Sequence, residues 1–139
     1  MFLWNMSLET GIETIDGHRR RLIEAMANFF LILDDAALSQ RLVAERTGAI
    51  YTAMKATFAA EDEVLNSHGE AGEMHMATHA TLLAAYIELC RKVVPKIKNV
   101  KQARQICLEI FTTIEKGLYI HIKDEALGYR SQVKARKTA

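Results

Sequence analysis

Apolar residues recur along this chain at three- and four-residue intervals, two-residue alternation is scarce, and proline occurs once, at Pro95. That period marks amphipathic helices. The first helix is expected from Asp16 to about Leu33, with Ile15, Arg19, Leu22, Met26, Phe29 and Leu33 on the core side. A second is expected from about Ala37 to Ser67, with Ile50, Met54, Thr57, Glu61 and Leu65 on one stripe and a stop at His68-Gly69. The third runs from about Glu73 to Val94 and aligns His75, His79, Leu82, Tyr86, Leu89 and Val93, until Pro95 and the polar stretch after it break the pattern. The fourth runs from about Val100 to Ala126 and aligns Cys107, Ile110, Ile114, Leu118 and His121.

Long helices joined by short connections predict an all-α fold, an antiparallel up-down-up-down four-helix bundle. It is read as a single domain over 1–139, with an N-terminal arm at 1–14 and a basic tail at 130–139. Antiparallel order brings the start of the first helix, the end of the second, the start of the third and the end of the fourth to one end of the bundle. The polar residues on the apolar stripes gather there: Arg19, Thr57, Glu61, His75, His79 and His121. A lone histidine on such a stripe is more often a hydrogen-bonded core residue than a ligand. A carboxylate is more telling, because burying it unpaired costs several kcal/mol. Glu61 therefore needs a cation, which is either a metal shared with the three histidines or the guanidinium of Arg19.

Composition narrows the surroundings more than the chemistry. Half of the 139 residues are apolar, a quarter are charged, and the formal net charge is +1, so no nucleic-acid partner is expected. The tail from Arg130 to Lys137 carries Arg130, Lys134, Arg136 and Lys137 without an acid and reads as a solvated end. In the run Arg19-Arg20-Arg21, Arg19 is expected to turn inward and the other two to face water. No segment approaches the roughly 18–20 apolar residues of a membrane span, and the N-terminus lacks the features of a signal peptide. Cys90 and Cys107 stand apart from any metal spacing and read as buried free thiols, which suits a cytoplasmic location. Phe29, Phe30, Phe58 and Phe111 read as core or site lining, and Met74 and Met76 as neighbours of His75 rather than ligands.

Four segments carry a resemblance to a known family. They are "TGIETID" (Thr10 to Asp16) followed by "RLIEAM" (Arg21 to Met26), "TFAAEDEVL" (Thr57 to Leu65), "HMATH" (His75 to His79) and "GLYIHI" (Gly117 to Ile122). In this order and spacing they resemble the hemerythrin family of four-helix, non-haem di-iron oxygen-binding proteins. The resemblance implies a site of five histidines and two bridging carboxylates. Glu61, His75, His79 and His121 fall on ligand positions, whereas Arg19, Thr57 and Ala126 stand where the family has a histidine, a histidine and an aspartate. The half that takes three histidines from the last two helices is kept, and both histidines of the other half are replaced. Two residues are candidate substitutes: His18, if the first helix is one residue out of register, and Glu125, four residues after His121.

The resemblance thus implies half of a di-iron site. One iron is expected rather than two, with zinc as an alternative. The rival is a metal-free site in which Arg19 pairs with Glu61 in place of the second iron. The matching functions are a metal-binding module that binds or senses oxygen or another diatomic gas, or a metal-free interaction or sensory module. A mononuclear-iron enzyme acting on oxygen or peroxide ranks third, because no acid–base pair beside a substrate cleft is visible. The sequence names no protein partner.

Overall fold

The computed structural model describes residues 8–66 and 69–125, with the side chains of Leu65 and residues 69–73 outside the description. Trp4 in the arm, His68, Ala126 and the basic tail also lie outside the described residues. Helix α1 spans Glu13–Leu31, α2 Gln40–Leu65, α3 Gly69–Val93 and α4 Val100–Thr113. Beyond α4 the chain passes through a π-helical turn, Ile114–Tyr119, and resumes as α-helix over 120–125. Among the described residues there is no strand, and no helix is long and apolar enough to cross a membrane.

Local chemistry sets the helix starts. Asp16, placed by its sequence at the first helix boundary, lies inside α1 and ties down the loop before it. Its carboxylate accepts from the Thr10 N–H and Thr10 Oγ1, each at 2.8 Å, and from the Gly11 N–H at 3.2 Å. Gly11 makes this turn at φ 84°, where a side chain would be strained. Ser39 caps α2 by accepting from the Leu42 N–H, and Asn99 caps α4 by accepting from the Gln102 N–H at 2.9 Å. At the end of α3 the chain tightens into the 3-10 turn Val94–Lys96, which contains Pro95.

Contacts between helices fix their direction. Arg19, early in α1, bonds Glu61, late in α2, and Glu125, at the end of the fourth helical segment. At the other end, Gln40 opens α2 and donates to the Val94 carbonyl, and Arg104 of α4 donates to the Leu33 carbonyl after α1. Successive helices are therefore antiparallel, as expected of the four-helix bundle. Its core takes Leu22, Met26 and Phe29 from α1, Ile50, Met54 and Phe58 from α2, Tyr86 and Val93 from α3, and Cys107 and Ile110 from α4. Cys90 and Cys107 are buried and free of disulfides. Ile15 is buried in a separate cluster with Ile12 and Val64, so the stretch of α1 holding Arg19 lies between two apolar regions.

The π turn departs from the continuous α-helix expected of this segment, and it accounts for the last stretch of the core. Ile110, Ile114, Leu118 and Ile122 are all buried at successive four-residue steps. Three such steps would drift by about 120° around an ideal α-helix. The wider π turn takes up that drift, so Ile122 stays on the core face and Glu125, three residues on, turns inward with it.

Candidate metal centre

Arg19 is among the largest fully buried side chains of the described residues. Its Nε donates to Glu61 Oε1 at 2.7 Å, its Nη2 to Glu125 Oε2 at 2.9 Å, and its Nη1 to the Ile122 carbonyl at 2.9 Å. The guanidinium thus bridges two carboxylates and the backbone just beyond the π turn. Arg20 stays near the surface, paired with Glu13, and Arg21 is exposed. Thr57 is also fully buried, and its hydroxyl turns to backbone, 2.7 Å from the Ala53 carbonyl and 3.2 Å from that of His18.

Glu125 is the hub of the cluster. Its Oε1 lies 3.1 Å from His75 Nδ1, 3.0 Å from His79 Nε2 and 3.0 Å from His121 Nε2. Three imidazole nitrogens from α3 and the final helical turn therefore converge on a single oxygen. His79, His121 and Glu125 offer ligand atoms that all lie within 4.8 Å of one another. Glu61 is also present, with Oε2 3.1 Å from His79 Nε2, but its other oxygen is taken by Arg19. The central carboxylate is thus Glu125, which sequence offered only as a substitute, and Glu61 stands beside it.

The histidines differ in their setting. His79 is buried; its ring stacks face to face on Phe58, with centroids 4.2 Å apart and planes 3° from parallel. His121 meets both rings edge-on. His75 departs from the expected core stripe, with about half of its side chain (48 %) exposed near the start of α3. His18 faces elsewhere: it lines a groove between α1 and α2 with Arg21, Ala25, Ala49, Thr52 and Ala53. A residue that sequence passed over completes the set: Asp62 Oδ1 sits 2.7 Å from His79 Nδ1. Its signal was faint, since Phe58 and Asp62, four residues apart on α2, flank one imidazole.

Without a metal the buried charges balance. Burial alone would push His79 down, but Glu125 and Glu61 outweigh it and raise its pKa to about 10. Burial alone would push the Glu125 carboxyl up, but the imidazoles of His121 and His79 hold it far below the usual carboxylate range. Protonated His79 and Arg19 then offset Glu61 and Glu125. Because the pKa of Glu125 is lowered on folding, its contribution is present above the ordinary value of 4.5 and is lost as pH falls below it. Because that of His79 is raised, its contribution is full below the ordinary value of 6.5 and is lost as pH rises toward about 10. Urea denaturation of the metal-free protein should therefore show greatest stability between about pH 4.5 and 6.5. His79→Gln should flatten the alkaline decline, and an unchanged decline would show that His79 is not its source.

Two atoms resist the metal-free account. Glu61 Oε2 and His121 Nε2 are the buried side-chain polar atoms without a hydrogen-bond partner among the described residues. Each has a charged or ionisable counterpart beside it, His79 Nε2 at 3.1 Å from Glu61 Oε2 and Glu125 Oε1 at 3.0 Å from His121 Nε2. Both belong to the cluster around Glu125. Unsatisfied buried polar atoms are rare in native proteins and often mark an ion or water.

Among known proteins, the chain is similar to a bacteriohemerythrin of Stenotrophomonas maltophilia (strain R551-3). It is 26 % identical to that protein over 135 residues, 97 % of this chain and 83 % of the relative. No protein-family model and no solved structure gives a significant match. With the four-helix bundle, that similarity supports a hemerythrin-like family for the chain, as a distant relative.

Proposed function

We propose that this chain is a hemerythrin-like protein that holds one metal ion where His75, His79 and His121 converge, and that it binds or senses dioxygen or another diatomic gas. Iron is the favoured metal and zinc the alternative. Glu125 is the carboxylate ligand, with Glu61 beside it. The observation that carries the reading is the approach of three imidazole nitrogens to within 3.0–3.1 Å of Glu125 Oε1. Imidazole and carboxylate together suit both iron and zinc, and an ion would satisfy Glu61 Oε2 and His121 Nε2.

A ferrous ion held by these residues would supply the electrons that binding a diatomic requires. The protein residues hold that place. Arg19 fixes one oxygen of Glu61 and one of Glu125 and leaves their other oxygens turned toward the histidines. Phe58 covers one face of His79 and keeps water from it. A guanidinium keeps its charge at any working pH, so Arg19 repels a second cation from the other half of the site. The buried, unpaired state of Cys90 and Cys107 supports a cytoplasmic location.

A second reading rests on the charge balance just described. Protonated His79 among Glu61, Asp62 and Glu125, with Arg19 on the same two glutamates, holds the cluster together without metal, which would suit an interaction or sensory module. Single variants separate the two. His121→Ala should lose bound metal, whereas His18→Ala should retain it, as read by elemental analysis of each purified variant. Equal metal content in both would remove His121 from the site. The absence of metal in the parent protein would favour the second reading.

A further inference from the structure

We infer that Asp62 is a positioning residue for the metal centre, holding the Nδ1–H of His79 so that Nε2 faces the ion as a free donor. The inference rests on the one-metal reading given above. Asp62 follows the buried Glu61, lies off the apolar stripe of α2, and is about one-third exposed (35 %).

Geometry argues for the role. The two nitrogens of His79 point in opposite directions and meet different partners. Nδ1 meets Asp62 Oδ1 at 2.7 Å, the shortest approach made by any imidazole of the cluster, while Nε2 lies 3.0 Å from Glu125 Oε1 and 3.1 Å from Glu61 Oε2. Phe58 fixes the plane of the ring by stacking. Stacking leaves open which nitrogen faces inward, since a ring turned over in its own plane would stack equally well. Asp62 removes that freedom. A carboxylate accepts hydrogen bonds only, so it selects the form of the ring with a proton on Nδ1. A neutral imidazole protonated on Nδ1 has its lone pair on Nε2, the nitrogen aimed at the cluster. Both constraints come from α2, one turn apart, so helix spacing delivers them together.

His75 and His121 are placed differently. His75 offers Nδ1 to the centre and is half exposed, and His121 reaches it by Nε2 from the final helical turn. Among the three, His79 is thus held most firmly, and the carboxylate that holds it meets the nitrogen turned away from Glu125. Outer partners of this kind typically contribute about 10–100-fold in metal affinity.

Zinc alone is the probe, because it is redox-silent and leaves nuclear resonance spectra sharp. Affinity is measured on the full chain by competition with a chelating dye, and the hydrogen bond of the His79 Nδ1–H by its proton shift and its exchange with solvent in the zinc-loaded protein. The parent protein should bind zinc with His79 protonated on Nδ1. Asp62→Ala should bind about 10–100-fold more weakly and lose the slow exchange of the His79 Nδ1–H. Asp62→Asn keeps an acceptor oxygen in place and should recover part of the affinity together with the Nδ1–H signal. Circular dichroism confirms that each variant keeps its helices, and Asp62→Asn carries the comparison if Asp62→Ala does not fold. The inference is overturned if the parent binds zinc and Asp62→Ala binds it as tightly. It is equally overturned if weaker binding comes with an unaltered shift and exchange of the His79 Nδ1–H. Failure of the parent protein to bind zinc at all is a separate result, which removes the one-metal reading itself.

Discussion

Replacing Arg19 with methionine should destabilise the protein by about 3–5 kcal/mol, the usual loss when one partner is removed from a buried ion pair. The side chain is fully buried, and three of its nitrogens donate to Glu61, Glu125 and the Ile122 carbonyl. Methionine fills much of the same volume, so the loss is mainly electrostatic. Two carboxylates would be left facing each other, with protonated His79 as their remaining cation inside the cluster. Against a total stability of roughly 5–15 kcal/mol, such a loss brings the fold close to its limit. Arg19→Lys should fall between the two, because an ammonium keeps the charge but cannot reach three acceptors as a fork does. Urea denaturation of metal-free protein reads both effects. A loss below about 1 kcal/mol for Arg19→Met would place the pair among ion pairs that contribute little.

The second large effect is a gain. Arg19→His combined with Thr57→His removes the fixed cation and puts two imidazoles where the hemerythrin resemblance expects them. Residue 57 already faces α1, with its hydroxyl near the His18 carbonyl, and Arg19 and Thr57 are both fully buried. The exchange of guanidinium for imidazole also opens room beside Glu61 and Glu125. The double variant should therefore take up two metal ions per chain, with Glu61 and Glu125 shared between them. Arg19→Met should not reach two, because it removes the repulsion without supplying donors. A folded double variant that takes up one ion would mean that Arg19 does not stand where a second metal fits.

Much of this site was legible because it breaks the rule of the apolar stripe. Arg19, Thr57, Glu61 and His79 occupy core positions on helices whose periodicity is plain, and an unpaired buried charge is too costly to be accidental. The antiparallel order then gathered them at one end. What escaped has a physical cause in each case. Glu125 depended on the π turn, which shifts the inward face of the last helical segment; the signal was the run of four-residue steps through Ile110, Ile114, Leu118 and Ile122. Asp62 escaped because a partly exposed acid on a helix flank looks like any other surface charge, and its role appears only with His79 from another helix beside it. His75 reads as part of the core stripe of α3, yet about half of its side chain is exposed among the described residues. The helix boundaries moved by a few residues for local reasons. Asp16, the expected start of α1, anchors the loop from within the first turn.

The central claim is that this bundle keeps one metal of a two-metal design and holds Arg19 where the other would be. Its most direct test is the number of metal ions per chain, measured by elemental analysis on protein purified without chelator, with the visible spectrum recorded after aeration. Near one equivalent, without the absorption of an oxo-bridged iron pair, is the predicted result. Near two irons with that absorption, or neither iron nor zinc at all, would contradict it.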